Sequence, residues 1–186
     1  MRRFYEAGNT RSYAFRKEQL LKLKKAVVAH EQDIYAALAA DLKKSPEESF
    51  VTENGFLLSE IKYAIHHLFE WMQPQKVSTN LMNLPSKSFV LQEPLGVVMI
   101  IGPWNYPLQL LFTPLVGAMA AGNCIMLKAS EFAPATAAVM KNIIEENQSN
   151  VPVKLELFAV QSINLKFCKE NERKSKRRFG VVCGCL

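Results

Sequence analysis

The sequence predicts an α/β protein, with helices at the amino terminus followed by part of a parallel sheet, and three observations carry that prediction. Apolar residues recur at helical spacing, amid lysines and arginines, through the first 72 residues. Two short, continuous apolar runs at 96–101 and 124–127 read as parallel strands covered on both faces. Each run is followed by a segment with a helical pattern, and strand, helix, strand, helix is the order of right-handed parallel crossovers. At 186 residues, 49% apolar and 22% charged, the chain has the size and composition of one ordinary domain with a real core.

The elements follow in order. Phe15, Leu20, Leu23 and Val27 form one apolar stripe, and Ile34, Leu38 and Leu42 continue it as a second helix beginning near His30. Ser45, Pro46, Glu47 and Glu48 are a start signal: a capping hydroxyl, proline in the first turn, then acids on the positive end of the dipole. The helix that follows carries Phe50, Leu57, Leu58, Ile61, Ile65 and Leu68, with a bend expected at Gly55. Residues 74–88 have no period and two prolines and are expected to be an exposed connector; 88–92 is a short strand candidate. The segment 107–121 suits a buried helix that begins at Pro107, stops at Gly122 and Asn123, and is shortened or kinked at Pro114. Residues 134–146 form an amphipathic helix, and 151–160 a strand candidate.

Charge divides the chain. Residues 1–150 carry 15 Lys and Arg against 14 Asp and Glu, whereas 151–186 carry 8 against 3. The body therefore gives no electrostatic sign of nucleic acid, and 147–186 is expected to be a divergent basic tail foreign to the fold of 1–146. The 34 uncharged residues at 94–127 are long enough to span a bilayer. Pro103, Pro107, Pro114 and four glycines interrupt them, which argues for buried soluble structure instead. The chain opens MRRFYEAGNT without an apolar stretch, so no signal peptide is expected and the reducing cytoplasm is the expected compartment. Cys124, Cys168, Cys183 and Cys185 lack zinc-site spacing, and His66 and His67 have no second ligand pair, so no metal is expected. Cys124, in a buried strand, reads as a core residue.

Chemistry concentrates at the turn after the first apolar run. Pro103 and Pro107 stiffen it, and Asn105 between them sits where open parallel sheets place ligands, at the carboxyl end of a strand. A fixed asparagine amide there is a donor of the kind that stabilises an oxyanion; the ordinary role of a turn asparagine is to satisfy its own backbone. Lys128 and Glu131, from residue types alone, are an ordinary solvated pair near a helix start.

Several separated motifs occur in an order that resembles the aldehyde dehydrogenases, most of all their class 3 branch. They are E-P-L-G-V-V at 93–98, I-G-P-W-N-Y-P at 101–107, P-L-V-G-A at 114–118, A-A-G-N-C at 120–124 and K-A-S-E at 128–131. G-N-T-R at 8–11 and D-L-K-K-S at 41–45 are similar to that branch too. The resemblance covers about residues 4–146 and implies an incomplete Rossmann-like cofactor-binding domain. It implies that Asn105 is the oxyanion donor, that Lys128 and Glu131 hold the adenosine ribose of NAD or NADP, and that Ile101, Pro103 and Trp104 line the cofactor. Removing such an oxyanion donor typically costs about 3 kcal/mol of transition-state stabilisation. Ala129 stands where the family has proline, leaving the backbone between Lys128 and Glu131 freer.

The family's nucleophilic cysteine lies in G-Q-x-C, its general-base glutamate in E-L-G-G-K and its pyrophosphate turn in G-[ST]-x-x-x-G; none occurs in these 186 residues. The expectation is therefore a truncated NAD(P)-dependent aldehyde dehydrogenase, inactive alone, arising from an interrupted gene or an alternative terminal exon. The family's pairing of the 88–92 strand with segments far downstream implies a marginal or aggregation-prone product. The alternative is a non-catalytic fragment that associates, as a homo- or hetero-oligomer, with full-length subunits. A third reading takes Cys183, Gly184, Cys185 and Leu186 behind basic residues as a degenerate prenylation signal.

Overall fold

The computed structural model describes residues 1–83, 85–146, 153–156 and 181–183. A short helix α1 (Arg2–Glu6), which the periodicity did not indicate, opens the chain, and Tyr5 donates its hydroxyl to the Pro94 carbonyl at 2.8 Å. Helix α2 (Tyr13–Ala29) is capped by Ser12, whose hydroxyl accepts from the Phe15 amide, and α3 (Glu31–Leu42) starts at His30 as expected. Lys43 ends α3 in the left-handed conformation with φ 59°, which redirects the chain so that Lys44 turns inward. The Ser45 start signal holds: its hydroxyl accepts from the Glu48 amide at the head of α4 (Pro46–Ser49).

The bend expected at Gly55 is a change of register. A π-helical segment, Phe50–Asn54, separates α4 from α5 (Gly55–Trp71). A side chain at Gly55 would bring its Cβ within 2.8 Å of the Phe50 carbonyl, so the wide turn closes only over a glycine. The widened turn carries Glu53 and Asn54 into the interior, where both are fully buried.

The connector at 74–88 is not structureless. It holds β1 (Gln75–Val77) and a 3₁₀ turn (Leu81–Asn83), and β1 pairs antiparallel with β2 (Ser88–Val90). Among the described residues the partner of β2 is thus this local strand and no distant segment. Both strands are largely exposed, which explains why neither shows a buried-face alternation in sequence.

Strands β3 (Val97–Ile101) and β4 (Cys124–Lys128) pair in parallel, with Val97 beside Cys124 and Ile101 beside Lys128. β5 (Val153–Glu156), inside the 151–160 candidate, extends the sheet beyond β4, and β6 (Val181–Cys183) extends it beyond β3. The order is β5-β4-β3-β6, parallel throughout. Residues 147–152 and 157–180, Cys168 among them, and the 184–186 end of the terminal motif lie outside the described residues.

Helices α6 (Pro107–Ala120) and α7 (Pro134–Glu146) connect the strands and contact each other, so both lie on one face of the sheet. Helices α2 and α5 pack on α6, and α3 packs on α7, forming an outer layer. Val98, Ile100, Ile125 and Leu127 join Leu20, Leu57, Leu111, Phe112 and Ile143 in one core. The opposite face is less covered than expected: Met99 and Met126 are half-buried and Ile101 is exposed. Pro114 does not shorten α6, which runs unbroken through it. The one intrahelical bond it forgoes is outweighed by burial of its neighbours Phe112, Leu115 and Val116. The expected stop is present, with Gly122 at φ 83° and Asn123 donating its amide to the Ala118 carbonyl. Among the described residues no helix is long and apolar enough to cross a membrane, and no cluster of side chains could hold a metal.

Candidate active site

The site lies over the carboxyl ends of β3 and β4, where parallel strands stop and their loops open. Leaving β3, the Gly102 amide donates to the Lys128 carbonyl at 3.0 Å, tying the two loops together at their roots. Gly102 is buried against Leu111, whose Cβ would stand 3.0 Å from a Cβ added there, so the chain turns tightly under α6. Pro103 follows, then Trp104, Asn105 and Tyr106, all three exposed, before Pro107 starts α6.

Asn105 does not follow the ordinary role of a turn asparagine. Among the described residues its side-chain amide makes no hydrogen bond, and only its main-chain carbonyl is engaged, by Lys44 Nζ at 3.3 Å. The exposed amide is therefore a presented donor pair on a held backbone.

That backbone is held from beneath. Lys44 and Glu53 form a buried ion pair, Nζ to Oε1 2.6 Å, with side chains only 8% and 0% exposed. Glu53 Oε2 accepts from the amides of Leu108 at 2.9 Å and Gln109 at 3.4 Å, the first turn of α6, where Tyr106 supplies no side-chain cap. Lys44 Nζ also lies 4.0 Å from the centroid of the Tyr106 ring. Sequence patterns missed both residues. Each falls within or beside an amphipathic helix, where a lysine or glutamate reads as solvated until the π-helical turn is known.

The second ledge is on β4. Lys128 Nζ donates to Glu131 Oε2 at 2.7 Å and to the Ala129 carbonyl at 2.8 Å. The pair is not the solvated one that residue types suggested: Lys128 is only 3% exposed, whereas Glu131 is 42% exposed. The lysine is buried because the strand continues one residue past the expected 124–127 and packs its end. The ammonium beside Glu131 holds that carboxyl below its ordinary range. Cys124, in contrast, is a buried thiol pushed above its ordinary value by desolvation, as befits a core residue.

Comparison with known proteins agrees with this architecture. The model of the aldehyde dehydrogenase family matches residues 3–155. An aldehyde dehydrogenase of Craterostigma plantagineum is 44% identical over 146 residues, 78% of this chain and 30% of its own. The 4,4'-diaponeurosporen-aldehyde dehydrogenase of Staphylococcus aureus is 46% identical over 143 residues, 77% of this chain and 31% of its own. Aldehyde dehydrogenase family 3 member H1 of Arabidopsis thaliana is 43% identical over 146 residues. A substrate-bound Staphylococcus aureus AldH superimposes with a TM-score of 0.84 at 41% identity, over 86% of this chain and 35% of that one. The chain thus spans about 30% of the length of the curated relatives it matches. Motif order, sheet topology and these similarities agree on one statement: the chain belongs to the aldehyde dehydrogenase family.

Proposed function

We propose that this chain carries the oxyanion donor and the adenosine-ribose ledge of an NAD(P)-dependent oxidation of aldehydes to carboxylic acids, and that these 186 residues alone do not complete that reaction. The observation that carries the reading is the unengaged Asn105 amide and the Lys128–Glu131 ledge on the loops that leave two adjacent parallel strands. When a thiolate adds to an aldehyde, negative charge develops on the former carbonyl oxygen. An amide already aimed at that position stabilises the charge without reorganising.

The ledge fits a nicotinamide dinucleotide. Lys128 has three N–H donors, and two are spent on Ala129 and Glu131, leaving one for a ribose hydroxyl. The exposed Glu131 carboxylate has free lone pairs to accept from another hydroxyl. Ile101, which pairs with Lys128 at the strand ends, and Pro103 and Trp104 just beyond it would supply the apolar lining for the dinucleotide. The bound dinucleotide would supply the hydride acceptor. The thiolate and the water-activating base are another matter. G-Q-x-C and E-L-G-G-K are missing from the 186 residues, and Cys124 is buried with a raised pKa. Residues 147–186 are, on this reading, a divergent basic tail, and the compartment is the cytoplasm.

Titration of the purified chain with ADP-ribose, followed by amide chemical shifts, tests the cradle: resonances at 101–106 and 128–131 should move together. Silence at both sets would remove the reading. With benzaldehyde or hexanal and either dinucleotide, no reduction above background is expected; sustained turnover, free of host enzyme, would overturn the inactivity.

A second reading, association with full-length subunits of the family, is favoured by the exposed hairpin of β1 and β2. Phe89, Val90 and Leu91 are exposed there, with Leu81 and Met82 beyond. Co-expression with a full-length relative should then yield a mixed oligomer by native mass; separate elution of the two species excludes it.

A further inference from the structure

We propose that Lys44 and Glu53 are positioning residues for Asn105: the buried pair holds the turn that presents the oxyanion donor, and this role rests on the reading of Asn105 given above. The turn has few supports of its own. Trp104, Asn105 and Tyr106 are exposed, and the Asn105 side chain has no protein partner among the described residues. Its backbone is nevertheless held at three successive places. The Gly102 amide donates to Lys128, the Asn105 carbonyl accepts from Lys44, and the Leu108 and Gln109 amides converge on Glu53. Two of these ties end on the one ion pair.

The pair is poorly accounted for as a stability device. Desolvating an ammonium and a carboxylate offsets most of their attraction, and well-packed apolar side chains in the same place commonly do as well. What apolar replacements cannot do is bond at once to the Asn105 carbonyl and to the amides of α6. Glu53 spends one oxygen on Lys44 and the other on the helix start, so lysine, turn and helix share one rigid network. Lys44 and Glu53 come from the outer helical layer, which gives that layer a part in presenting the donor as well as in packing.

The test uses the full 186-residue chain without ligand. The double variant Lys44→Met/Glu53→Gln removes both charges together and so leaves neither one buried alone. Asparagine labelled with ¹⁵N reports the Asn105 side-chain amide, the indole N–H reports Trp104, and hydrogen exchange reports Leu108, Gln109 and the β4 amides. The expected result is a shifted or broadened Asn105 signal, a moved Trp104 signal, and at least a tenfold rise in exchange at Leu108 and Gln109, with β4 unchanged. Unaltered Asn105 and Trp104 signals overturn the proposal. So does a uniform rise in exchange across α2, α6 and β4, or failure of the double variant to fold, because the pair would then be a general element of stability. The measurements need neither aldehyde nor dinucleotide, so they stand or fall separately from the ADP-ribose titration.

Discussion

Two lysine–glutamate pairs, one under the turn after β3 and one at the end of β4, have nearly equal separations, 2.6 Å for Lys44–Glu53 and 2.7 Å for Lys128–Glu131, yet differ in burial. In the first, both partners are buried and every strong contact is internal. In the second, the lysine is buried and the glutamate opens to solvent, with lone pairs left over from the lysine. Distance alone does not separate the two pairs; burial of the second partner does. Asp41 shows a middle case. From the end of α3 it accepts from the Ala135 and Thr136 amides at 3.2 and 2.7 Å, capping α7 much as Glu53 caps α6. The helices before the sheet thus supply carboxylates to the starts of both crossover helices.

The contrast makes graded predictions. Glu53→Ala leaves Lys44 buried and unpaired, and urea unfolding should show a loss of about 3–5 kcal/mol. A loss below about 1 kcal/mol, in the range of surface pairs, would put this pair in the same class as an exposed one. Asp41→Ala should cost about 1–2 kcal/mol, with faster exchange confined to the first turn of α7. Protection of Ala135 and Thr136 unchanged by the substitution would count against that cap. Glu131→Gln keeps an acceptor for Lys128 and should lower the urea midpoint far less than Glu53→Ala does, while abolishing the ADP-ribose shifts at 128–131, a separation of folding from binding that Glu53 cannot show. Because the carboxyl of Glu131 is held below its ordinary range, what it adds to stability is present above the unfolded value of about 4.3 and fades as pH falls through the lower folded value.

The smallest effect belongs to His30. Its Nδ1 lies 2.8 Å from Asp33 on α3, and its Nε2 lies 2.9 Å from Glu146 at the end of α7. The hydrogen bond to Glu146, then that to Asp33, raises its pKa. The folded value being above the unfolded one, about 6.5, its contribution is complete below that pH and is lost as pH rises through the folded value. Wild type and His30→Asn should therefore differ most below about pH 6.5 and draw together as pH rises through the raised folded value. A difference that does not change with pH would exclude the titration.

Much of this was readable from the chain itself. The apolar stripes placed α2, α3, α5 and α7, the Ser45–Pro46 signal placed α4, and two continuous apolar runs placed β3 and β4, because burial needs leave a period in the sequence. Asn105 stood out because two prolines bracket it at a strand's end. The β1–β2 hairpin was hidden, since an exposed pair of three-residue strands buries no face and leaves no alternation. Pro114 does not shorten α6, since local propensity yields to the packing of the helix around it.

Residue order by itself determined the longer helices, the parallel crossover and the family, because hydrophobic periodicity, caps and motif order are local and survive without coordinates. Only the folded chain decided which charges are buried. Lys44 and Glu53 lie nine residues apart and meet through a widened helical turn, while Glu53 reaches an amide 55 residues downstream. Such contacts depend on how layers stack, and nothing in the neighbouring residues records them.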